Sequence, residues 1–323
     1  MIALDRAFLR GSYPPLITPL RRGRVDHEVF AGLVERQIRE GSHGLLVCGT
    51  TAEPSTLTVR ERAELLRTAV RAARGRVPVV AATGSQSLAE TLELSRRAEA
   101  DGADALLVVT PYYVKPPQRG LVEYFADLGG RTGLPLLIYH IPGRAAVEIQ
   151  ADTVLRIAER VPHLVGLKHA STDFALPTRL LAALGPEFRI FVGLEELSFP
   201  LLAVGAAGLM NAVGNLLPAR VAALCERVAA GRLARARELH FELFELNQAI
   251  FFDTNPIPLK WMMHRLGLLP GNEHRLPMIP ASAELEARLE GVLRRSGLLA
   301  PDGTPAAAIL PAPRGRKGTR PRG

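Results

Sequence analysis

Short apolar runs alternate with longer amphipathic stretches along most of this chain. From Gly11 onward the runs read YPPLIT, GLLVC, PVVAA, ALLVVT, PLLIYH, LVGLK, RIFVG and AGLMNA. Each is almost continuously apolar and too short for a helix, as expected of strands covered on both faces in a parallel sheet. Between them, segments near 27–40, 58–74, 88–101, 118–132, 150–160, 174–184, 197–204 and 218–230 repeat apolar residues at helical spacing. Two of these open on a capping-box pattern, Thr58 with Glu61 and Ser87 with Glu90. Eight strand–helix units over about 220 residues predict a (β/α)8 TIM barrel. The rival is an open doubly wound sheet, which would carry a dinucleotide-type glycine fingerprint after a strand. None of the runs is followed by one.

Beyond residue 230 the pattern is helical only. RLARARELHFELFELNQAIF is amphipathic, and NPIPLKWMMHRLG predicts a helix capped by Asn255, with Pro256 in its first turn and a stop at Gly267. A third helix is expected over about 283–296. The chain thus divides into a barrel over 8–230, a three-helix extension over 231–300 and a basic Pro/Gly-rich tail over 301–323, expected to be disordered.

Composition narrows the function classes. A chain of 323 residues with 47% hydrophobic content supplies a large core. No window approaches an uninterrupted membrane-spanning run, and the start MIALDRAFLRGSY lacks the apolar segment of a signal peptide. Cys48 and Cys225 make neither a metal-type cluster nor a disulfide framework. A soluble cytoplasmic protein is the expectation. The net charge of +8 is partly a property of the tail, where Arg314, Arg316, Lys317, Arg320 and Arg322 stand against Asp302. That tail has no aromatic residue on which a base would stack, so no nucleic-acid partner is expected.

Chemistry in such a barrel gathers at the carboxyl ends of the strands. There the chain places Cys48-Gly49-Thr50-Thr51, Thr83-Gly84-Ser85, Thr110-Pro111-Tyr112-Tyr113, Tyr139-His140, Lys168-His169, Gly193 and Asn211. Lys168 stands out because the chain has only four lysines, the others being Lys115, Lys260 and Lys317, against 36 arginines. An arginine does not deprotonate, whereas an amine at an apolar strand end can become a nucleophile toward a carbonyl. Keeping an amine largely neutral near pH 7 costs about 4 kcal/mol of differential solvation, which an apolar strand end supplies. The resulting iminium would act as an electron sink for carbanion chemistry at the neighbouring carbon. Tyr139, on the adjacent strand, suits the proton transfers, and Thr50 with a tyrosine of the Tyr112-Tyr113 pair would complete a hydroxyl relay. The turn GTTAEPSTL offers N–H groups and two hydroxyls to a carboxylate, and Arg144 in HIPGRAA offers a bidentate site for a second.

The competing readings are a lysine that snorkels from the rim or pairs with Glu195 or Glu196, a metal-dependent aldolase using His140, His169 and Glu195, and a non-catalytic keto-acid-binding or scaffold barrel. The metal reading has no tight ligand spacing and leaves Lys168 unexplained. A mere binder does not need the Lys-Tyr-Thr-Tyr set.

Taken together, CGTTAEPSTLT, TPYYVKPPQRGL, YHIPGRA, VGLKHAST and NPIPLKW, in that order, resemble the dihydrodipicolinate synthase / N-acetylneuraminate lyase family of pyruvate-dependent Schiff-base enzymes. The resemblance implies that Lys168 is the Schiff-base lysine. Tyr139, Thr50 and Tyr113 are implied as the proton relay, with Tyr113 reaching in from a neighbouring subunit. Thr51 is implied as the holder of the pyruvate carboxylate and Arg144 as the arginine that meets the carboxylate of an aldehyde partner. Gly193 and Met210 join them as substrate-binding positions. The same resemblance implies a homotetramer built as a dimer of dimers, with no metal and no cofactor beyond the covalent pyruvate imine.

The chain departs from the family pattern at Ala52, His140, Gly143, Ala145 and His169. Val59 and Arg62 replace histidines of lysine-inhibited synthases, which argues against feedback by lysine. The expected activity is condensation of pyruvate with an aldehyde such as aspartate semialdehyde. Its alternative is retro-aldol cleavage of a 4-hydroxy-2-oxo diacid, towards which HIPGRAAVEI and HFELFELNQAIFFDTNPIPLKW lean.

Overall fold

The computed structural model describes residues 1–306. Eight parallel strands form one sheet: β1 (Gly11–Ser12), β2 (Leu45–Val47), β3 (Val79–Ala82), β4 (Ala105–Val109), β5 (Leu136–His140), β6 (Leu164–His169), β7 (Arg189–Val192) and β8 (Gly208–Leu209). Their order is β1-β8-β7-β6-β5-β4-β3-β2. A parallel bridge from Pro15 to Leu46, with the Leu16 N–H donating to the Leu46 carbonyl at 2.9 Å, closes the ring. The architecture is the expected (β/α)8 barrel.

Alternation along the strands, interrupted where the β5–β6 register shifts between Leu136 and Leu137, sorts the side chains. Leu46, Val80, Leu107, Leu137, Tyr139, Val165 and Phe191 face inward and fill the barrel. Leu45, Val79, Leu106, Ile138, Leu167 and Ile190 face outward to the helices. Those are α1 (His27–Arg39), α2 (Val59–Ala73), α3 (Leu88–Ala100), α4 (Gln118–Gly129), α5 (Ala151–Arg160), α6 (Ala175–Leu184), α7 (Ser198–Ala203) and α8 (Pro218–Ala229). Tyr13 plugs the barrel interior edge-on to Phe191, centroids 5.2 Å apart, and its hydroxyl accepts the Leu9 N–H at 3.0 Å. The last helices, α9 (Leu233–Ala249), α10 (Ile257–Arg265) and α11 (Ala283–Arg295), share a second core with α7 and α8. No helix among the described residues is long and apolar enough to cross a membrane.

The structure corrects four details of the sequence reading. The first strand lies at Gly11–Ser12 rather than over YPPLIT, because Pro14 and Pro15 have no N–H to give to a ladder. The chain instead passes from β8, through the Tyr13 N–H, to β2, through the Leu16 N–H. Thr58 and Glu61 form the full reciprocal box, whereas Ser87 caps α3 alone because Glu90 turns to the Ser85 hydroxyl at 2.6 Å. Asn255 does not cap α10; its side chain donates to Thr51 Oγ1 instead. Residues 301–306, expected in the tail, fold back on α11, with the Ala306 N–H donating to the Leu298 carbonyl at 2.9 Å. The remainder of that expected tail, 307–323, lies outside the described residues.

Candidate active site

Strand register creates the central contact. Tyr139 of β5 and Lys168 of β6 are register partners on the inner face near the carboxyl ends of their strands. Both are buried, and the Lys168 Nζ stands 4.3 Å from the centroid of the Tyr139 ring. The amine end of the lysine thus packs on the face of the phenol ring. The Tyr139 hydroxyl in turn lies 3.4 Å from Thr50 Oγ1. Thr50 opens a one-turn 3-10 helix, Thr50–Ala52, directly after β2. The three residues expected to carry amine, phenol and hydroxyl chemistry are therefore brought together.

The substrate-binding candidates surround this core. Thr51 is buried beside Thr50, and its Oγ1 accepts from Asn255 Nδ2 at 3.1 Å. Arg144 sits on a one-turn helix, Pro142–Ala145, after β5, and its guanidinium donates to the Asn255 carbonyl at 3.2 Å. Gly193 follows β7, its N–H donating to the His169 carbonyl at 2.7 Å. A Cβ at position 193 would stand 2.8 Å from Lys168 Cε, so glycine is what leaves room for the lysine stem. Met210, after β8, is buried in the inner cluster with Tyr139 and Phe191. Thr50, Tyr139, Arg144 and Asn255 line a cleft of about 540 Å³.

Tyr113 is the exception. It is 88% exposed, with a left-handed backbone at φ +71, and it is Tyr112 that lines the cleft within this chain. A bulky residue held at positive φ is strained. Here the ring it carries faces outward.

Electrostatics around the lysine come from Glu195. This carboxyl is fully buried after β7, and burial pushes it up to about 7, against the Ala212 N–H that it accepts and the positive charge of Lys168. His140 and His169 follow Tyr139 and Lys168 on the opposite face of the sheet, with their Nδ1 atoms 3.2 Å apart. Burial, and then the neighbouring His169, lower His140 to about 4, so the pair is neutral near pH 7. The looser metal set weighed from the sequence is not assembled: among the described residues no three His, Cys, Asp or Glu side chains gather to hold a metal ion.

The sequence pattern does not point to a second buried constellation beside the cleft. Glu53 accepts from Lys260 Nζ at 2.9 Å and from His274 Nδ1 at 2.9 Å. Nor does it reveal Asn255 as the link between Thr51 and Arg144. The one available signal is the scarcity of lysine: of the three described lysines, Lys168 and Lys260 are buried and Lys115 is exposed.

Comparisons with known proteins show the family. The model of the dihydrodipicolinate synthetase family matches residues 8–296. The 4-hydroxy-tetrahydrodipicolinate synthase of Thermus thermophilus is 50% identical over 291 residues, 90% of this chain and 97% of the relative. The crystal structure of dihydrodipicolinate synthase from Aquifex aeolicus is similar at a TM-score of 0.87 and 38% identity, covering 90% of this chain and 98% of that one. The chloride-inhibited dihydrodipicolinate synthase of Acinetobacter baumannii, solved in complex with pyruvate, is similar at a TM-score of 0.87 and 34% identity, covering 90% of this chain and 100% of that one.

Proposed function

The chain belongs to the dihydrodipicolinate synthetase family, and from that premise we propose that it condenses pyruvate, held as an imine on Lys168, with aspartate semialdehyde. It is an enzyme, a lyase of the class I aldolase type. The Lys168 amine attacks the pyruvate ketone and water leaves, giving an iminium. Loss of a proton from the pyruvate methyl gives an enamine, whose carbon adds to the aldehyde. Tyr139 moves the protons of these steps, relayed through Thr50 and Tyr113. Thr51 holds the pyruvate carboxylate, and Arg144, exposed at the cleft, meets the carboxylate of the aldehyde. Gly193 and Met210 shape the pyruvate pocket. The route needs no metal or organic cofactor. We further propose a cytoplasmic homotetramer, a dimer of dimers in which each Tyr113 serves the neighbouring subunit.

One juxtaposition carries this reading: a buried lysine packed on the tyrosine that is its register partner, with the Thr50 hydroxyl 3.4 Å from the phenol. Retro-aldol cleavage is the same path reversed. The relatives' name, a synthase, favours condensation.

The test is borohydride reduction in the presence of pyruvate, followed by intact mass and peptide mapping. A reduced pyruvyl adduct is expected on Lys168 and absent in Lys168→Ala, which should also be inactive. No adduct on folded protein, or an adduct on another lysine, would overturn the assignment.

A further inference from the structure

Of the three lysines among the described residues, Lys168 and Lys260 are buried, and Lys260 has no part in the chemistry proposed above. Its ammonium lies 2.9 Å from Glu53 Oε1 and also donates to the Glu273 carbonyl. The other Glu53 oxygen accepts from His274 Nδ1 at 2.9 Å. All three side chains are sealed: relative exposures are 1% for Lys260, 3% for Glu53 and 0% for His274. Burial alone would raise the Glu53 carboxyl, but the His274 hydrogen bond and the Lys260 charge hold it below the ordinary carboxylate value, so it is ionised.

Glu53 occupies a particular place in the backbone. It joins two single-turn 3-10 helices, Thr50–Ala52 and Pro54–Thr56, in a left-handed conformation at φ +55. Its N–H donates to the Thr50 carbonyl at 3.1 Å, and its own carbonyl accepts the Thr56 N–H at 2.9 Å. A non-glycine residue at positive φ persists only when its surroundings over-determine it. Two charge-assisted bonds from α10 and the loop after it do that here. The Thr50–Tyr139 contact, at 3.4 Å, is at the long end of a hydrogen bond, so a small rotation at Glu53 would break it.

We propose that Lys260, acting with His274 through Glu53, is a positioning residue that holds the Thr50–Thr51 turn in register with Tyr139. The C-terminal extension thereby becomes part of the catalytic apparatus. A lysine suits this place because its compact ammonium reaches both one carboxylate and one carbonyl. A guanidinium would bury five donors. The inference rests on the roles given above to Lys168, Tyr139 and Thr50.

Removing one charge would strand the other in the interior and endanger the fold, so the test removes both. Met and Gln approximate the shapes of Lys and Glu, and in Glu53→Gln/Lys260→Met the amide oxygen still accepts from His274. The expected variant is folded and reaches the wild-type yield of reduced pyruvyl adduct on Lys168 at saturating pyruvate. Its kcat falls by about 10²-fold, as a misplaced relay would cause, while KM for the aldehyde stays within a factor of about three. A merely structural pair would lower the unfolding temperature and leave kcat of the folded enzyme intact; kcat within about twofold of wild type would therefore overturn the proposal. So would a loss of final adduct yield matching the loss of kcat, because the pair would then support Lys168 rather than the relay. Should the double variant not fold, Glu53→Asp keeps the charge and shortens its reach by one methylene, and is expected to lose kcat by about tenfold, with unchanged kcat overturning the proposal. Failure of the wild type to form an adduct would instead overturn the Lys168 reading.

Discussion

Gly193 leaves open the space that Lys168 occupies, and this makes it a sensitive probe of the position of the proposed nucleophile. In Gly193→Ala the new methyl would meet Lys168 Cε at 2.8 Å and Ala170 Cβ at 3.0 Å. The lysine must move off the Tyr139 ring, and overpacking of this kind costs about 1–3 kcal/mol. The expected outcome is slower formation of the borohydride-trapped adduct, by about 10- to 100-fold in a stopped time course, together with a lower unfolding temperature. An unaltered rate would show that Lys168 has slack that the packing does not suggest. Tyr139→Phe probes the phenol itself: turnover should drop by about 10²–10⁴-fold if the hydroxyl is the general acid–base, with the adduct still forming slowly. Arg144→Ala should raise KM for the aldehyde and leave adduct yield unchanged, whereas loss of the adduct would mean that Arg144 serves pyruvate instead. At this scale Lys168 and Tyr139 are legible in sequence, because a lone lysine ends an apolar strand and the tyrosine ends the strand before it. Asn255 is not. Its bond to Thr51 spans 204 positions of chain, and the Asn-Pro pair by itself reads as a helix start.

The elements divide along similar lines. All expected helices but one came out within a residue or two of the apolar periodicity, α2 and α3 carrying their caps locally in Thr58 and Ser87; α4, expected to 132, ends at Gly129. The strand β1 did not, because its pairing is decided by which N–H groups the prolines leave over rather than by apolar character. Invisible in the same way is the tie between β7 and β8, where Glu195 accepts the Ala212 N–H across the strand ends. This tie has a pH signature. An ordinary glutamate titrates at 4.5, whereas burial, opposed by the Ala212 N–H and by Lys168, raises Glu195 to about 7. Between those values the folded protein keeps a proton that the unfolded chain has released. The stability contributed by this group is therefore full below the unfolded value and is lost as pH rises to about 7. The full loss is of order 3 kcal/mol. Glu195→Gln keeps an acceptor for Ala212 and cannot ionise. Denaturant unfolding from pH 5 to 8 should show the variant gaining on the wild type by up to that amount, and a constant difference across the series would contradict the buried-acid assignment.

For the whole molecule, one candidate is unfinished within a single chain. Tyr113 points away from its own cleft, 88% exposed, and its neighbour Val114 is 56% exposed. The sequence shows a Tyr-Tyr pair after a strand but cannot say which ring serves which cleft; the backbone sends Tyr112 inward and Tyr113 outward. On the proposed assembly, a Lys168 of one subunit works with the Tyr113 of its partner across a two-fold interface, where each subunit gives what it receives. That arrangement makes a quantitative demand on mixed oligomers. Lys168→Ala subunits lack the nucleophile but keep the tyrosine, and Tyr113→Ala subunits have the reverse deficit. Each homomeric variant should be nearly inactive. After co-refolding in equal amounts, about half of the pairs are mixed, and each mixed pair holds one complete site of two, giving about a quarter of wild-type activity. If Tyr113 instead acted within its own chain, no pairing would join an intact lysine to an intact tyrosine, and the mixture would stay at the level of the separate variants.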